Sequence, residues 1–472
     1  MRISGLASNL DWEQLVNQLM QIERRPLLLL ERRKLEIETE RNAWSDIRSR
    51  VANLRDRIAG VLAGDLFRRI KATSSDAARV TAQAGSGAAP GTYQVEVQQL
   101  ATAHAIATYD DVDPSDARNV DGDLTLAVTT VDGQTMASFN VMVDPADSLY
   151  AIRDKINAAV EAAVAADPNL KPYAVRAEVI GGYLVISRTE TGASTIEVSG
   201  SAAGALKLIN QTGAERVVTK GQDATFKVNG LEFTRSSNTV SDVIQGVTLE
   251  LHQAAPGQPV TVTVAWDDDA VVDAVKKFIE QYNSTLSFMN QQQDYQATGG
   301  GKLGGDALLT ILRSELRRMV SDPVAALAGS TDLDRLAAVG ITTQDKSGVL
   351  QLDEAKLREA LAADRAGVQR LLAGDPDAAG ASDDGVFVRL RKAVDAWLET
   401  NTGLLDRRID ALDDRIQDYA EQMERMEYRL QLREQNLMRQ FEALESLIAT
   451  LQSQEQWLVQ QINQLSSLRP RK

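Results

Sequence analysis

The 472-residue chain contains no cysteine. That excludes a disulfide framework, a thiol nucleophile and any metal site built on sulfur. Histidine is nearly absent too, with only His104 and His252 in unrelated segments. Aromatic residues are 5% of the chain although hydrophobic residues are 43%, so its cores must come from aliphatic side chains on long helices or small strand modules. Positive charge is in deficit: 51 Lys and Arg against 66 Asp and Glu leave a net charge of -15, the wrong sign for general binding to phosphate backbones. Fifteen acids and six bases fall between Asp110 and Gly200, which reads as a solvated, self-repelling surface. No window approaches the ~18 consecutive apolar residues of a membrane span. The opening Met1-Arg2-Ile3-Ser4-Gly5-Leu6 has no basic stretch before an apolar run, so a Sec-type leader is not expected.

The residues that could carry chemistry have simpler readings. Asp267-Asp268-Asp269 lacks the Gly and downstream Glu of a calcium loop and stands where a strand gives way to a helix, so helix capping accounts for it. Gly299-Gly300-Gly301-Lys302-Leu303 has Leu303 where a phosphate loop needs Ser or Thr. Asn210-Gln211-Thr212 and Asn283-Ser284-Thr285 match the glycosylation sequon, the second inside an expected helix. No catalytic residue, cofactor or metal ion is expected, and the chain is not read as an enzyme.

What is present in abundance is helical periodicity at both ends. Asp11 is placed to cap a helix with Leu15, Val16, Leu19, Met20 and Ile22 on one face, interrupted by Pro26. Leu30, Ile37, Trp44, Ile47, Val51, Leu54, Ile58 and Val61 then follow a heptad grid. The C-terminal end is longer. From Leu405 through Leu412, Tyr419, Met426 and Leu430 the apolar steps alternate between four and three, with a stutter at Arg433, Leu437 and Phe441. No Pro or Gly occurs between Leu404 and Leu468, giving a helix of ~60 residues and ~90 Å. Neither stripe can be buried by its own helix. An antiparallel hairpin between the two ends, over part of their length, and pairing between chains both remain open. The extreme ends, 1–22 and 454–472, are expected to lack closure within one chain. The candidate assembly residues are therefore Leu6, Leu10, Leu15, Leu19 and Ile22 with Leu451, Leu458, Ile462 and Leu465.

The middle switches to a period of two. Gly91 to Val97 reads as a strand, and Ala224–Val228 with Leu231–Phe233 flank Asn229-Gly230, a two-residue hairpin signal. Gly246–Leu251 and Val260–Val264 flank Ala255-Pro256-Gly257 and read as a second hairpin. Between these sets lie strands at Leu124–Val128, Phe139–Val143, Val175–Val179 and Tyr183–Ile186, and an Ala-rich helix from Ser148 to Ala165. They suggest a small α+β module inserted into a β domain. Helical period returns after Trp266, in Val271 to Met289 and Asp306 to Val320, and a loop runs from Gly374 to Gly385. The expected fold is a multidomain α+β chain. Its parts are an N-terminal coiled coil (1–45), a leg helix (46–70), a β head in two parts (71–108 and 209–268), an inserted α+β domain (109–208), a helical leg (269–404) and a C-terminal coiled coil (405–472).

Along essentially its whole length the chain resembles the flagellar filament-capping family, also called hook-associated protein 2. Ser4-Gly5-Leu6, Leu10-Asp11, Leu15-Val16, Leu19-Met20, Ile22-Glu23 and Pro26-Leu27 match the family's opening pattern; Asn9 stands where Gly is common, and Asn tolerates similar backbone angles. Pro90-Gly91-Thr92-Tyr93, Gly246-Val247-Thr248-Leu249, Gln281-Tyr282-Asn283-Ser284 and Gly340-Ile341-Thr342-Thr343 continue the match, which is weakest from Tyr109 to Leu208. The resemblance implies a secreted, extracellular protein at the filament tip, exported uncleaved through the flagellar type III apparatus with an export chaperone. It would form a homo-oligomeric ring, a pentamer or a hexamer, that retains flagellin and promotes its folding and insertion beside the hook–filament junction proteins. The competing readings are a tip-displayed adhesin acting through the inserted domain, and another axial component such as a junction protein.

Overall fold

The computed structural model describes residues 11–85, 87–294, 301–327, 329, 332–374 and 384–467, with side chains to 463. The chain has a multidomain α+β fold. It forms two compact units, one from Met1–Phe67 with Asp268–Lys472 and the other from Arg68–Asp267.

The first unit begins with α1 (Trp12–Glu23), which starts because the Asp11 carboxylate accepts the Gln14 N–H at 3.0 Å. After Arg24 the chain continues as α2 (Arg25–Val61). Pro26 lies in its first turn, where a missing N–H costs no helical hydrogen bond. Ile37, Trp44, Ile47, Val51, Leu54, Ile58 and Val61 are buried, a single stripe made by steps of seven, then alternating three and four.

The second unit holds two modules, each with its own core. In chain order its first elements are β1 (Ile70–Ser74), β2 (Val80–Ala84), β3 (Gly91–Gln99), β4 (Ala105–Ala107), β5 (Gly122–Thr130), β6 (Thr135–Val143) and α3 (Leu149–Ala166). β7 (Val175–Ile180), β8 (Tyr183–Arg188), β9 (Ser194–Ser199), α4 (Ser201–Ala205) and β10 (Arg216–Thr219) follow. The last are β11 (Ala224–Val228), β12 (Leu231–Arg235), β13 (Thr239–Ile244), β14 (Val247–Leu251) and β15 (Val260–Trp266). A five-stranded sheet ordered β1-β15-β3-β11-β12 and a three-stranded sheet ordered β13-β14-β2 share a core that includes Val95, Phe226, Val262, Val80 and Leu249. The turn between β11 and β12 takes positive φ at Asn229 (50°) and Gly230 (83°). This is the backbone a two-residue hairpin with the right strand twist requires.

The second expected hairpin does not form. β14 pairs with β13 and β2, whereas β15 pairs with β1 and β3. The connection crosses the sandwich instead: the His252 N–H donates to the Arg79 carbonyl (2.8 Å), and the Ala255 N–H donates to the Val97 carbonyl (2.8 Å) on the other sheet. Both strands bury alternate residues into one core from opposite sides, so their period-two pattern could not say which sheet each joins.

The other module has sheets ordered β6-β5-β9 and β10-β4-β8-β7. β4 and β10 reach it from either side of 109–208. α3, capped by the Ser148 hydroxyl, buries Leu149, Ile152, Ile156 and Val160. It is also tied to β7 by the Asn157 side chain, which exchanges two hydrogen bonds with the Ala177 backbone (3.0 and 2.9 Å).

The first unit resumes with α5 (Asp268–Gln293), α6 (Ala307–Ser321), the hairpin β16 (Ile341–Thr343) and β17 (Leu350–Leu352), α7 (Glu354–Ala373), α8 (Val386–Leu398) and α9 (Leu404–Ser467). α7 breaks at Asp364 (φ -147°, ψ 80°), whose carboxylate accepts the Gly367 N–H at 2.8 Å and restarts the helix. The core contains Trp44, Tyr282, Phe278 and Phe387; the last two meet edge to face at 4.5 Å. The Asp268 carboxylate in the first turn of α5 pairs with Arg365, and that of Asp269 pairs with Arg358 at 2.7 Å. Gly299 and Gly300 of the first glycine-rich loop, and residues 375–383 of the second, lie outside the described residues.

Candidate assembly surface

The terminal helices form an antiparallel hairpin. Arg48 of α2 pairs with Asp406 near the start of α9, and Arg41 pairs with Asp413 at 3.0 Å. Arg24 meets Glu434 and Glu23 meets Arg433, each at 3.7 Å. At the far end the Trp12 indole N–H donates to the Glu445 carboxylate at 2.7 Å, and its ring stacks on Phe441 at 4.8 Å. Partners descend along one helix as they rise along the other. The Asp406 hydrogen bond also raises the Arg48 pKa, against a smaller effect of burial.

This hairpin reaches further than the sequence alone suggests. Residues 12–22 were expected to lack closure within one chain, yet Val16 and Met20 are buried against α9 in a thin seam with Leu27, Leu430 and Leu437. The apolar face of α1 is also wider than one seam can cover. It splits into a closed stripe, Val16 and Met20, and an open one, Leu15, Leu19 and Ile22, the last 58% exposed. On α9, Leu451, Leu458 and Ile462 are likewise exposed, Ile462 at 60%. Leu6 and Leu10 lie outside the described residues, as does the side chain of Leu465. The structure therefore places six of the nine candidates, Leu15, Leu19, Ile22, Leu451, Leu458 and Ile462, on the open surface of unit 1.

Sequence reasoning missed Leu28, Leu29, Leu35, Leu447, Trp457 and Val459, which are also exposed apolar side chains on these helices. They sit off the heptad grid, and a search for one seam discards them. Trp12 was missed as well. Phe441 sits at the stutter, where two steps of four rotate the stripe, and Trp12 follows a cap residue; those were the available signals.

The residues with chemical potential elsewhere are engaged structurally. His104 is buried and its Nδ1 accepts the Ile196 N–H at 3.1 Å. His252 Nε2 lies 2.9 Å from the Thr81 hydroxyl. The Asn283 amide donates to the Leu350 carbonyl (2.8 Å) and accepts the Leu350 N–H (2.7 Å). Asn210 closes its own turn by accepting from Thr212 and Ala214. Among the described residues no three His, Asp or Glu side chains gather as around a metal ion, and no helix is long and apolar enough to cross a membrane.

The family models for the N-terminus and the C-terminus of flagellar hook-associated protein 2 match residues 8–104 and 221–453. The chain is 30% identical over 467 residues to the B-type flagellar hook-associated protein 2 of Pseudomonas aeruginosa, covering 93% of this chain and 92% of that one. The chain belongs to the flagellar hook-associated protein 2 family. Within it, the Escherichia coli K12 protein is 26% identical over 471 residues, with 94% of each chain covered. The solved D1-D2-D3 domains of the flagellar cap protein from Escherichia coli are 27% identical, with a TM-score of 0.55 over 79% of this chain and 99% of that one. The two family matches leave 105–220 between them, a stretch that includes β4 through β10.

Proposed function

We propose that this protein caps the distal tip of the bacterial flagellar filament as a non-enzymatic scaffold. Its copies form a ring that retains exported flagellin and promotes its folding and insertion. The reading is supported by the family and by one structural observation: the terminal hairpin leaves a second apolar stripe open on α1 and carries α9 past Leu437, its last buried position among the described residues. Each large aliphatic side chain on that surface gains about 1.5–3 kcal/mol on full burial, so the surface favours assembly over solvent. Leu15, Leu19, Ile22, Leu451, Leu458 and Ile462 are its proposed contacts. The proposed partners are further copies of this chain, flagellin at the filament tip and the hook–filament junction proteins. The proposed route is uncleaved passage through the flagellar type III apparatus with an export chaperone, ending extracellularly.

The test is a strain lacking this chain, viewed by electron microscopy with an assay for flagellin in the medium. Hooks without filaments and monomeric flagellin in the medium are expected. Normal filaments without leakage would overturn the reading and leave the adhesin as the leading alternative.

A further inference from the structure

Arg188 is a buried charge without a counterion. It ends β8 and is 6% exposed, and no carboxylate among the described residues comes within the 4.0 Å of an ion pair. One terminal nitrogen donates to the Ser194 hydroxyl and the other to the Pro172 carbonyl (2.7 Å), while the Nε–H has no partner. Asp147, by contrast, is buried with Lys155 as its counterion. Burial lowers the Arg188 pKa, and Glu190, Tyr173 and Asp223 oppose this from a distance. A guanidinium still keeps its proton throughout the physiological range, so its burial carries a cost that a facing carboxylate would offset.

Arg188 lines a cleft of about 550 Å³, a volume typical of small-ligand sites. The lining comes from Lys171, Tyr173 and Glu190 in the inserted module and from Asp223 and Ser237 in the β head. Lys171 and Glu190 are exposed at its rim. Asp223 stands just before β11, and its Oδ1 accepts the Ala193 N–H at 2.6 Å. Two cations and two carboxylates therefore balance before anything enters. A simple anion would satisfy Arg188 but add negative charge beside Asp223 and Glu190. A simple cation would face Arg188 and Lys171. A zwitterion leaves the balance unchanged and gives each charge its opposite. We propose that the cleft binds a free α-amino acid, its carboxylate seated on Arg188 and its ammonium facing Asp223 and Glu190. The ligand then touches both modules, ties them together and stabilises the unit by mass action. The inference rests on this cleft and is independent of the capping reading.

The full-length protein is titrated with each common L-amino acid in turn, followed by calorimetry and by the thermal transition of the second unit. At least one is expected to bind with a Kd at or below about 1 mM and to raise that transition. Acetate and methylamine, each carrying one of the two charges, are expected to give neither response at the same concentrations. Arg188→Gln should weaken the amino acid at least about tenfold. Asp223→Asn with Glu190→Gln keeps an acceptor for the Ala193 N–H, so the unit is expected to fold. This double variant should lose the amino acid by a similar factor and bind acetate instead. Absence of binding by every amino acid would overturn the proposal, as would acetate binding the unaltered protein as tightly as an amino acid does. So would an affinity left unchanged by Asp223→Asn with Glu190→Gln, the variant that decides the matter if Arg188→Gln fails to fold.

Discussion

His104 shows how one buried side chain makes a module sensitive to pH. It sits 3% exposed, its carbonyl accepts the Arg188 N–H (2.9 Å) and its Nδ1 accepts from Ile196. Burial lowers its pKa below the ordinary value; Glu215 opposes this and Arg188 adds to it. The unfolded chain therefore takes up a proton at higher pH, near ~6.5, than the folded one. The stability this imidazole contributes is complete above that value and is lost as pH falls toward the lowered folded pKa. Thermal unfolding of the second unit is expected to lose stability between about pH 7 and about pH 5. His104→Gln should flatten that dependence, and parallel curves for the two proteins would refute it. Trp44, fully buried in the core of the first unit, belongs to a different class. Trp44→Ala should cost about 3–5 kcal/mol in denaturant unfolding of that unit, through lost transfer energy and the cavity left behind.

α1 is held to α9 by few contacts, and its energetics are local. Val16 is 2% exposed in a seam of five buried residues, so Val16→Asp places an unpartnered carboxylate there at a cost of roughly 2–4 kcal/mol. The expected result is faster hydrogen exchange in α1 and around Leu430 and Leu437, with β1 to β15 unchanged. α9 behaves oppositely beyond its last buried residue. Leu451→Asp with Leu458→Asp should shift the stability of the isolated chain by no more than about 0.5 kcal/mol, because both side chains are already in water. Under the capping reading the same pair abolishes filament growth when it complements the deletion strain. Normal filaments from that variant would remove these residues from the assembly surface.

The division of the whole molecule gives a prediction of its own. The segment Arg68–Asp267 forms one compact unit whose two cores draw on its own strands and helices. A truncation lacking residues 1–22 is therefore expected to abolish capping while leaving that unit folded. Circular dichroism and a retained thermal transition for β1 to β15 check this, and a truncated protein without that transition would count against it. The junction inside this unit is also knitted from backbone. The Thr102 N–H donates to the Gln222 carbonyl (2.9 Å) and the Gly192 N–H donates to the Thr102 carbonyl (3.1 Å). The Ala193 N–H reaches the Asp223 carboxylate at 2.6 Å.

The sequence by itself determined whatever depends on period and local chemistry. Ile37 to Val61 and Leu149 to Val160 are buried at the spacings that repeat in the chain, Asp11, Ser148 and Asp306 cap helices, and Asn229-Gly230 turns a hairpin. These follow from side-chain geometry within a few residues. The tertiary structure alone decided which partner each pattern meets. Alternation in β14 and β15 says that they face a core, but only long-range pairing puts them in different sheets. The apolar face of α1 says that something covers it, but only the seam with α9 separates Val16 and Met20 from Leu15, Leu19 and Ile22. Periodicity fixes a direction relative to a helix or strand axis, and burial depends on how many neighbours arrive along that direction, which no local pattern encodes.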